Sequence, residues 1–408
     1  MSPITQEVRI EGSIPVDLPI KNNKRFLFIS RDQRALTHGL HKYPAKFFPE
    51  LPRWIVERYS DDGDLILDPF MGSGTANLEA SVLGRDSIGV DVDPFSRFLS
   101  KVKTTPLDGG ELLESYACLK DSLTQYRKGE KPINGIPSFP YRDNWFKFYV
   151  LEELAYLKSS IDNLDASSEI KDFFLVCFSS IIRAVSEADN NCTRTVVRKK
   201  LNKQVNPLDA IRLFKKRLEQ NVGAMLSLLK ANPKGEVIIP ENADARRLEG
   251  ISDETIDLAL TSPPYMNAVD YPRTHQLELY WLGFAEGSLR DLKSKHVGTE
   301  VVQAEDYRTL HKTGCSADRT IKKIFSIDPR RAFIASKYIA DMIENMKEVC
   351  RVLKPGKRYV MVIGNNLVRG EAFETWRYLK HAAPPPRFKC RVPFRLRHYQ
   401  PLHQGSTP

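Results

Sequence analysis

Short apolar runs bounded by turn-forming residues alternate along this chain with stretches whose apolar positions recur at helical spacing. Five runs, each rich in Ile, Leu or Val, read as strands: residues 65–70 (LILDPF), 87–92 (SIGVDV), 236–239 (EVII), 255–261 (TIDLALT) and 358–363 (RYVMVI), the last following the turn KPGK at 354–357. Helical periodicity lies between them, as at residues 76–83 and 335–353. Strand alternating with helix predicts a layered α/β fold with a parallel, open and doubly wound sheet.

Two long segments interrupt this alternation. Residues 105–235 are patterned mostly as helix, with helices predicted over 145–164, 169–187 and 207–231. The longest apolar run of the chain, FFLVCFSSII at 173–182, falls inside this segment; it is shorter than the roughly 20 residues a membrane helix needs and reads as a buried core helix. A second insertion, about 271–330, is polar and irregular in its latter half. From residue 381 the chain becomes rich in proline and arginine with little periodicity, which predicts an irregular basic tail over 381–408.

Composition narrows the function classes. With 41% hydrophobic and 27% charged residues among 408, the chain has the make-up of a globular protein, and no membrane span or secretory signal is visible; a cytoplasmic location is the expectation. The six cysteines form no C-x-x-C pair and the eight histidines make no zinc spacing with them, so reduced thiols and no metal site are expected. A formal net charge of +10 favours a polyanionic partner. The densest basic stretch is TRTVVRKKLNKQ at 193–204, where Arg194, Arg198, Lys199 and Lys200 are either a solvated face or a set of phosphate contacts.

Candidate chemistry begins at LILDPFMGSGT. A strand running into a glycine-rich turn and then a helix brings backbone N–H groups close to a ligand, with Gly72 and Gly74 removing side chains that would block approach. A phosphate-binding P-loop needs a lysine after its last glycine, which is missing here. The dinucleotide fingerprint fails because Asn77 stands at its third glycine. Acidic residues decorate the site instead. Asp68 precedes the turn, Asp91 ends the next strand where it can accept hydrogen bonds from ribose hydroxyls, and Asp244 would end a third strand and accept from an adenine amino group. Carboxylates suit a cationic cofactor, and S-adenosyl-L-methionine, with its sulfonium and amino groups, fits.

The second constellation is TSPPY at 261–265. Proline removes a donor and restricts the residue before it, so Ser262, Pro263 and Pro264 are pinned extended with carbonyls free to accept. The exocyclic amine of a nucleobase is a poor nucleophile because its lone pair is delocalised into the ring. Acceptors such as Ser262 and the Pro263 carbonyl can grip its hydrogens and orient that lone pair towards a methyl group. Tyr265 can stack on a base extruded from a duplex.

Together, DPFMGSGT and TSPPY resemble the cofactor and catalytic motifs of the amino-methyltransferases of DNA, the family that methylates cytosine N4 or adenine N6. HGLHKYPAKFFPELPRWIV at 38–56 resembles the segment that precedes the cofactor loop and closes over the methionine end of the cofactor, and DYPRTHQLELYWLGF at 270–284 continues the likeness. The resemblance implies a Rossmann-like class I methyltransferase sheet with a large, mostly helical insertion. It implies a cofactor site formed by Lys42, Tyr43, Pro44, Asp68, Pro69, Phe70, Gly72, Ser73, Gly74, Thr75, Asp91 and Asp244, with Ser262, Pro263, Pro264 and Tyr265 as the catalytic set. The serine form of the catalytic motif is more often that of N4-cytosine enzymes than the aspartate form DPPY.

The implied layout is a cofactor half over 1–104, target recognition in the insertion 105–235 or in 271–330, a catalytic half over 236–380, and the tail. The implied substrate is double-stranded DNA, with a cognate restriction endonuclease acting on the same site as the expected partner. The C5-cytosine route needs a nucleophilic cysteine, typically in a Pro-Cys pair, and the chain has no such pair. Adenine N6, an RNA guanine N2, and a nucleic-acid-binding protein with an inactive methyltransferase fold stay open as alternatives. One departure stands out: this sheet type usually ends in two further strands after RYVMVIGNN, and only RFKCRVPFRLRHY is present to supply them.

Overall fold

The computed structural model describes residues 7–20, 25–126, 135–198, 200, 202–266, 269–382 and 395–398. Lys199 lies outside the described residues. The strands in chain order are β1 (Glu7–Glu11), β2 (Arg25–Ile29), β3 (Leu65–Asp68), β4 (Asp86–Gly89), β5 (Val237–Ile238), β6 (Ile256–Thr261), β7 (Leu353–Met361), β8 (Asn366–Val368), β9 (Glu371–Phe373) and β10 (Arg395–His398). Five of them form the central sheet in the order β5-β4-β3-β6-β7, every neighbouring pair parallel. The chain steps outward from β3 through β4 to β5, then returns to the other side of β3 for β6 and β7. The strand order therefore reverses between β3 and β6, and in open α/β sheets ligands bind in the crevice outside the carboxyl ends of the strands at such a point.

The predicted strands are all present, with shifted ends that have local causes. β3 stops at Asp68 because Pro69 cannot donate to a ladder and the chain turns there. β7 starts earlier than the pattern predicts: the KPGK turn is absorbed into the strand as an irregularity, with Leu353 opposite Ile256 and Arg358 opposite Leu258. Gly356 takes the left-handed conformation this excursion needs (φ 78°), and Lys354 and Lys357 both reach Asp257, at 2.8 and 2.9 Å. All six residues of β6 are buried, as a central strand requires.

Helices cover the sheet: α1 (Glu50–Tyr59), α2 (Thr75–Val82), α3 (Pro94–Thr104), α4 (Gly109–Thr124), α5 (Arg142–Trp145), α6 (Phe148–Asp162), α7 (Ser168–Val185), α8 (Asp209–Ala231), α9 (Tyr271–Thr274), α10 (Gln276–Trp281), α11 (Arg290–Lys295), α12 (Ala317–Ile327), α13 (Pro329–Val352) and α14 (Thr375–Ala382). The helix predicted over 145–164 is broken into α5 and α6, because Phe146 is extended (φ −138°, ψ 141°) and packs its ring edge-on against Trp281 and Phe139. The latter half of the second insertion is not irregular throughout: α12 buries Ala317, Ile321 and Ile324 and packs on α13. That three-residue and four-residue spacing is the helical stripe that polar neighbours obscured.

A corresponding correction applies to the tail. Its residues 395–398 are a strand, β10, parallel to β2 in a second, three-stranded sheet β1-β2-β10. The tail therefore does not extend the central sheet, and among the described residues β7 is that sheet's edge. The remaining tail residues, 383–394 and 399–408, lie outside the described residues. The second sheet packs Phe26 and Phe28 with Trp54 and Ile55 of α1 and Leu258 and Leu260 of β6. The largest core joins Leu78 of α2 and Phe95 and Leu99 of α3 to buried residues of α4, α6, α7, α8 and α10, so the helical insertion and the glycine-rich half share one continuous apolar interior. Among the described residues no helix is long and apolar enough to cross a membrane.

Candidate active site

A cavity of about 710 Å³ opens where the carboxyl ends of the strands converge. Pro69, Phe70 and Gly72 line it from the turn after β3, Asp91 and Asp93 from the turn after β4, Asp244 from beyond β5, and Ser262 and Pro264 from beyond β6. The two motif-bearing strands are tied beneath it by Thr261, whose hydroxyl donates to Asp68 Oδ1 at 2.6 Å. Asp68 is buried below the cavity wall, and its pKa rises to about 7 because burial outweighs the bonds from Thr261 and the Phe70 N–H.

The glycine turn folds as its sequence requires. Gly72 and Gly74 have φ of 54° and 67°, values that glycine adopts without strain, and a Cβ on Gly74 would come within 2.8 Å of the Ser100 hydroxyl oxygen. Ser73 and Thr75 face away from the cavity and are buried. Lys103, itself buried, donates from Nζ to the Ser73 carbonyl at 2.8 Å and to Thr75 Oγ1 at 3.2 Å. Lys103 was not singled out from sequence; its only signal is a lysine on the inner face of an amphipathic helix.

Negative charge concentrates on one wall. Asp91 accepts from the Gly72 N–H through Oδ2 at 2.9 Å and from the Asp93 N–H through Oδ1 at 2.8 Å. Burial, and then the adjacent Asp93 charge, raise its pKa to about 6. Asp93 caps α3 through a 3.0 Å bond from the Ser96 N–H, a role the D-P pair in SIGVDVDP signals. Its Oδ2 is buried and, among the described residues, has no hydrogen-bond partner; His296 Nε2 stands 3.6 Å away, close enough for an ion pair but too far for a hydrogen bond. Burial opposes ionisation of Asp93, and His296 more than offsets it, so the carboxyl lies below the usual range. Asp244 also reaches the cavity, but Arg246 engages both of its oxygens, from Nε to Oδ1 at 2.9 Å and from a terminal nitrogen to Oδ2 at 2.6 Å. The D-A-R spacing in NADARRL could have revealed that pair.

These groups fit a cationic ligand. A wall that raises one carboxyl and leaves a neighbouring carboxylate oxygen without a hydrogen bond is relieved by positive charge. S-adenosyl-L-methionine would be held by the Gly72 turn, by Asp91, whose oxygens each keep acceptor capacity, and by Tyr43. Tyr43 comes from the segment before the glycine turn, lines the cavity, bonds Ser96 Oγ at 2.8 Å and stacks on Tyr271 with ring centroids 5.6 Å apart. Its neighbours are placed differently. Lys42 bonds the Asn190 carbonyl at 2.9 Å, and neither it nor Pro44 lines the cavity.

On the other wall, Pro263 is buried and the Tyr265 ring, 43% exposed, lies against the backbone of Gly364 rather than on the cavity lining. A Cβ on Gly364 would sit 2.9 Å from that ring, so the glycine makes the placement possible. The basic loop splits. Arg194 lines the cavity, Arg198 pairs with Asp189 at 3.3 Å, and Lys200 is exposed.

Comparisons with known proteins give several likenesses. The family model described as DNA methylase matches residues 19–97, the span holding Tyr43, the glycine turn and Asp91. The type II methyltransferase M.MvaI of Kocuria varians is 27% identical over 377 residues, 86% of this chain and 82% of that protein. The type II methyltransferase M.BsoBI of Geobacillus stearothermophilus is 27% identical over 71% of this chain, which spans 61% of that longer relative. Among solved structures, the rRNA methyltransferase aviRa of Streptomyces viridochromogenes aligns at 15% identity and a TM-score of 0.25, covering 56% of this chain and 64% of that one. Its glycine turn and its TSPPY loop meet at the reversal point of one parallel sheet, residues 19–97 match a DNA methylase model, and most of the chain is similar to a type II methyltransferase; these likenesses support the amino-methyltransferases of DNA as its family, whose methyl donor is S-adenosyl-L-methionine.

Proposed function

We propose that this protein methylates the exocyclic N4 of cytosine at a specific site in double-stranded DNA, as the modification enzyme of a restriction–modification system with a cognate endonuclease. The observation that carries this reading is the meeting of Ser262 and Pro264 with Gly72 and Asp91 around one cavity. The serine at the head of the motif, where other family members carry aspartate, favours cytosine.

Bound beside Asp91, S-adenosyl-L-methionine supplies an electrophilic methyl group. The chain's own residues prepare the amine that receives it. The Ser262 hydroxyl and the Pro263 carbonyl accept the two amine hydrogens and turn the nitrogen lone pair towards the methyl group. Pro264 holds the chain extended so that these acceptors are fixed before the base arrives. Tyr265, exposed beside the cavity, is free to close on the face of a flipped base. No nucleophilic side chain is required, because the amine attacks directly.

The test is direct. Incubated with duplex DNA and methyl-labelled cofactor, the protein should place label in N4-methylcytosine after digestion to nucleosides. Label in N6-methyladenine instead would move the assignment to adenine within the same acceptor geometry.

A further inference from the structure

The cations of the cavity are not equivalent. Lys293 stands 3.0 Å from Asp270, Arg331 2.5 Å from Glu300 and Arg369 2.8 Å from Asp328, so each is neutralised in place. Arg194, Arg273 and Lys295 also line the cavity, and among the described residues no carboxylate lies within ion-pair distance of any of them. Lys295 ends α11 in the second insertion. The two arginines come from chain segments that are stitched together. The residue after Arg194 is Thr195, whose buried hydroxyl donates at 2.7 Å to the carbonyl of Thr274, the residue after Arg273.

Both segments are rigid at the backbone. The Arg183 guanidinium donates to the carbonyls of Asp189 at 2.9 Å and Arg194 at 3.1 Å, and also to that of Cys192, which fixes the basic loop. Asp270 caps α9 by accepting from the Arg273 N–H at 3.1 Å, while its other oxygen is held by Lys293. What remains free is the pair of guanidinium heads, which line the same cavity as Asp91 and Asp93. Guanidinium is weakly hydrated and presents a fork that matches phosphate oxygens.

We propose that Arg194 and Arg273 clamp the DNA phosphates flanking the base that enters the cavity, one arm from the helical insertion and one from α9. This rests on the reading of the protein as a DNA methyltransferase. It assigns the cavity's carboxylates to a cationic cofactor and its unpaired arginines to the polyanionic substrate. It also explains why the basic loop is tied to α9 rather than to its own helices alone. Arg198, already paired with Asp189, is not part of the clamp.

The experiment compares the wild-type protein with Arg194→Gln, Arg273→Gln, the double variant and Arg273→Lys. Duplex binding is measured across a salt series, cofactor binding by calorimetry, and both again with a duplex carrying uncharged methylphosphonate linkages on either side of the target base. Each glutamine variant should weaken duplex binding about tenfold, as loss of one charge-assisted contact does, and should reduce the salt slope by about 1. Cofactor affinity should stay within about twofold, as expected for residues that bind by neutralising phosphate rather than by holding the cofactor. That result also reports an intact fold. Arg273→Lys should keep the slope while losing part of the affinity. The uncharged duplex should bind wild type and double variant alike.

Unchanged slopes in both glutamine variants would overturn the clamp, as would a loss that appears in cofactor binding, which would place the arginines on the cofactor's carboxylate. If the wild-type protein binds duplex through the arginines yet transfers no methyl group, the clamp stands and the enzymatic reading fails.

Discussion

Ser262 stands one residue past Thr261, whose hydroxyl donates to Asp68 at the end of β3, so the proposed amine acceptor is tied to the strand that leads into the glycine turn. Ser262→Ala should therefore reduce turnover by about 10²-fold, the scale of losing one oriented polar contact in a transition state, and leave the cofactor dissociation constant nearly unchanged. Equal turnover in mutant and wild type would remove Ser262 from the catalytic set. Asp91 carries a second prediction, of pH dependence. Burial and Asp93 raise its pKa to about 6, so its ionised, accepting form is present above that pH and is lost as pH falls through it. Cofactor binding should tighten as pH rises through about 6, beside the fixed pair of Asp93 and His296, and calorimetry on Asp91→Asn should show no inflection there. An inflection unchanged in that variant would assign the titration elsewhere. At this scale the placement of short stretches was legible: Gly72, Asp91 and Ser262, singled out from local pattern, line one cavity, and Gly74 takes the left-handed turn conformation. Contacts such as Thr195 with Thr274 were not, because nothing local in either segment encodes a partner 79 residues away.

Elements behave as their capping and turn residues dictate. The turn between β3 and α2 depends on left-handed backbone at Gly74, and a side chain there meets Ser100 at 2.8 Å. Gly74→Ala should cost about 1–3 kcal/mol from backbone strain and lower the thermal midpoint measurably. An unshifted midpoint would mean the turn can relax. The central strands were legible because buried strands are continuous apolar runs between turn residues. The break between α5 and α6 was not, since Phe146 reads as an ordinary helical apolar position until Trp281 is known to lie beside it. β10 escaped for a related reason: Arg395–His398 is short and basic, and only its pairing with β2 makes it a strand.

Across the whole molecule, the helical insertion and the glycine-rich half share one core, with Phe178 of α7 fully buried among residues that reach Phe95 and Leu99 of α3. Phe178→Ala should cost about 3–5 kcal/mol, and unfolding of wild type and variant should each be a single transition raised by added cofactor. Two separated transitions, with only one responding to cofactor, would contradict a shared core. The net charge of +10 found its counterpart at the cavity only in part, because Lys293, Arg331 and Arg369 are paired while Arg194, Arg273 and Lys295 are not. Sequence could supply the charge but not its partners. The proposed function sets one amine beside one methyl donor, and one measurement tests that most directly: methyl-labelled cofactor and duplex DNA are incubated with the protein, and the DNA is digested to nucleosides. Label in N4-methylcytosine, abolished in Ser262→Ala, is the predicted result; DNA that stays unlabelled while the protein binds cofactor would contradict it.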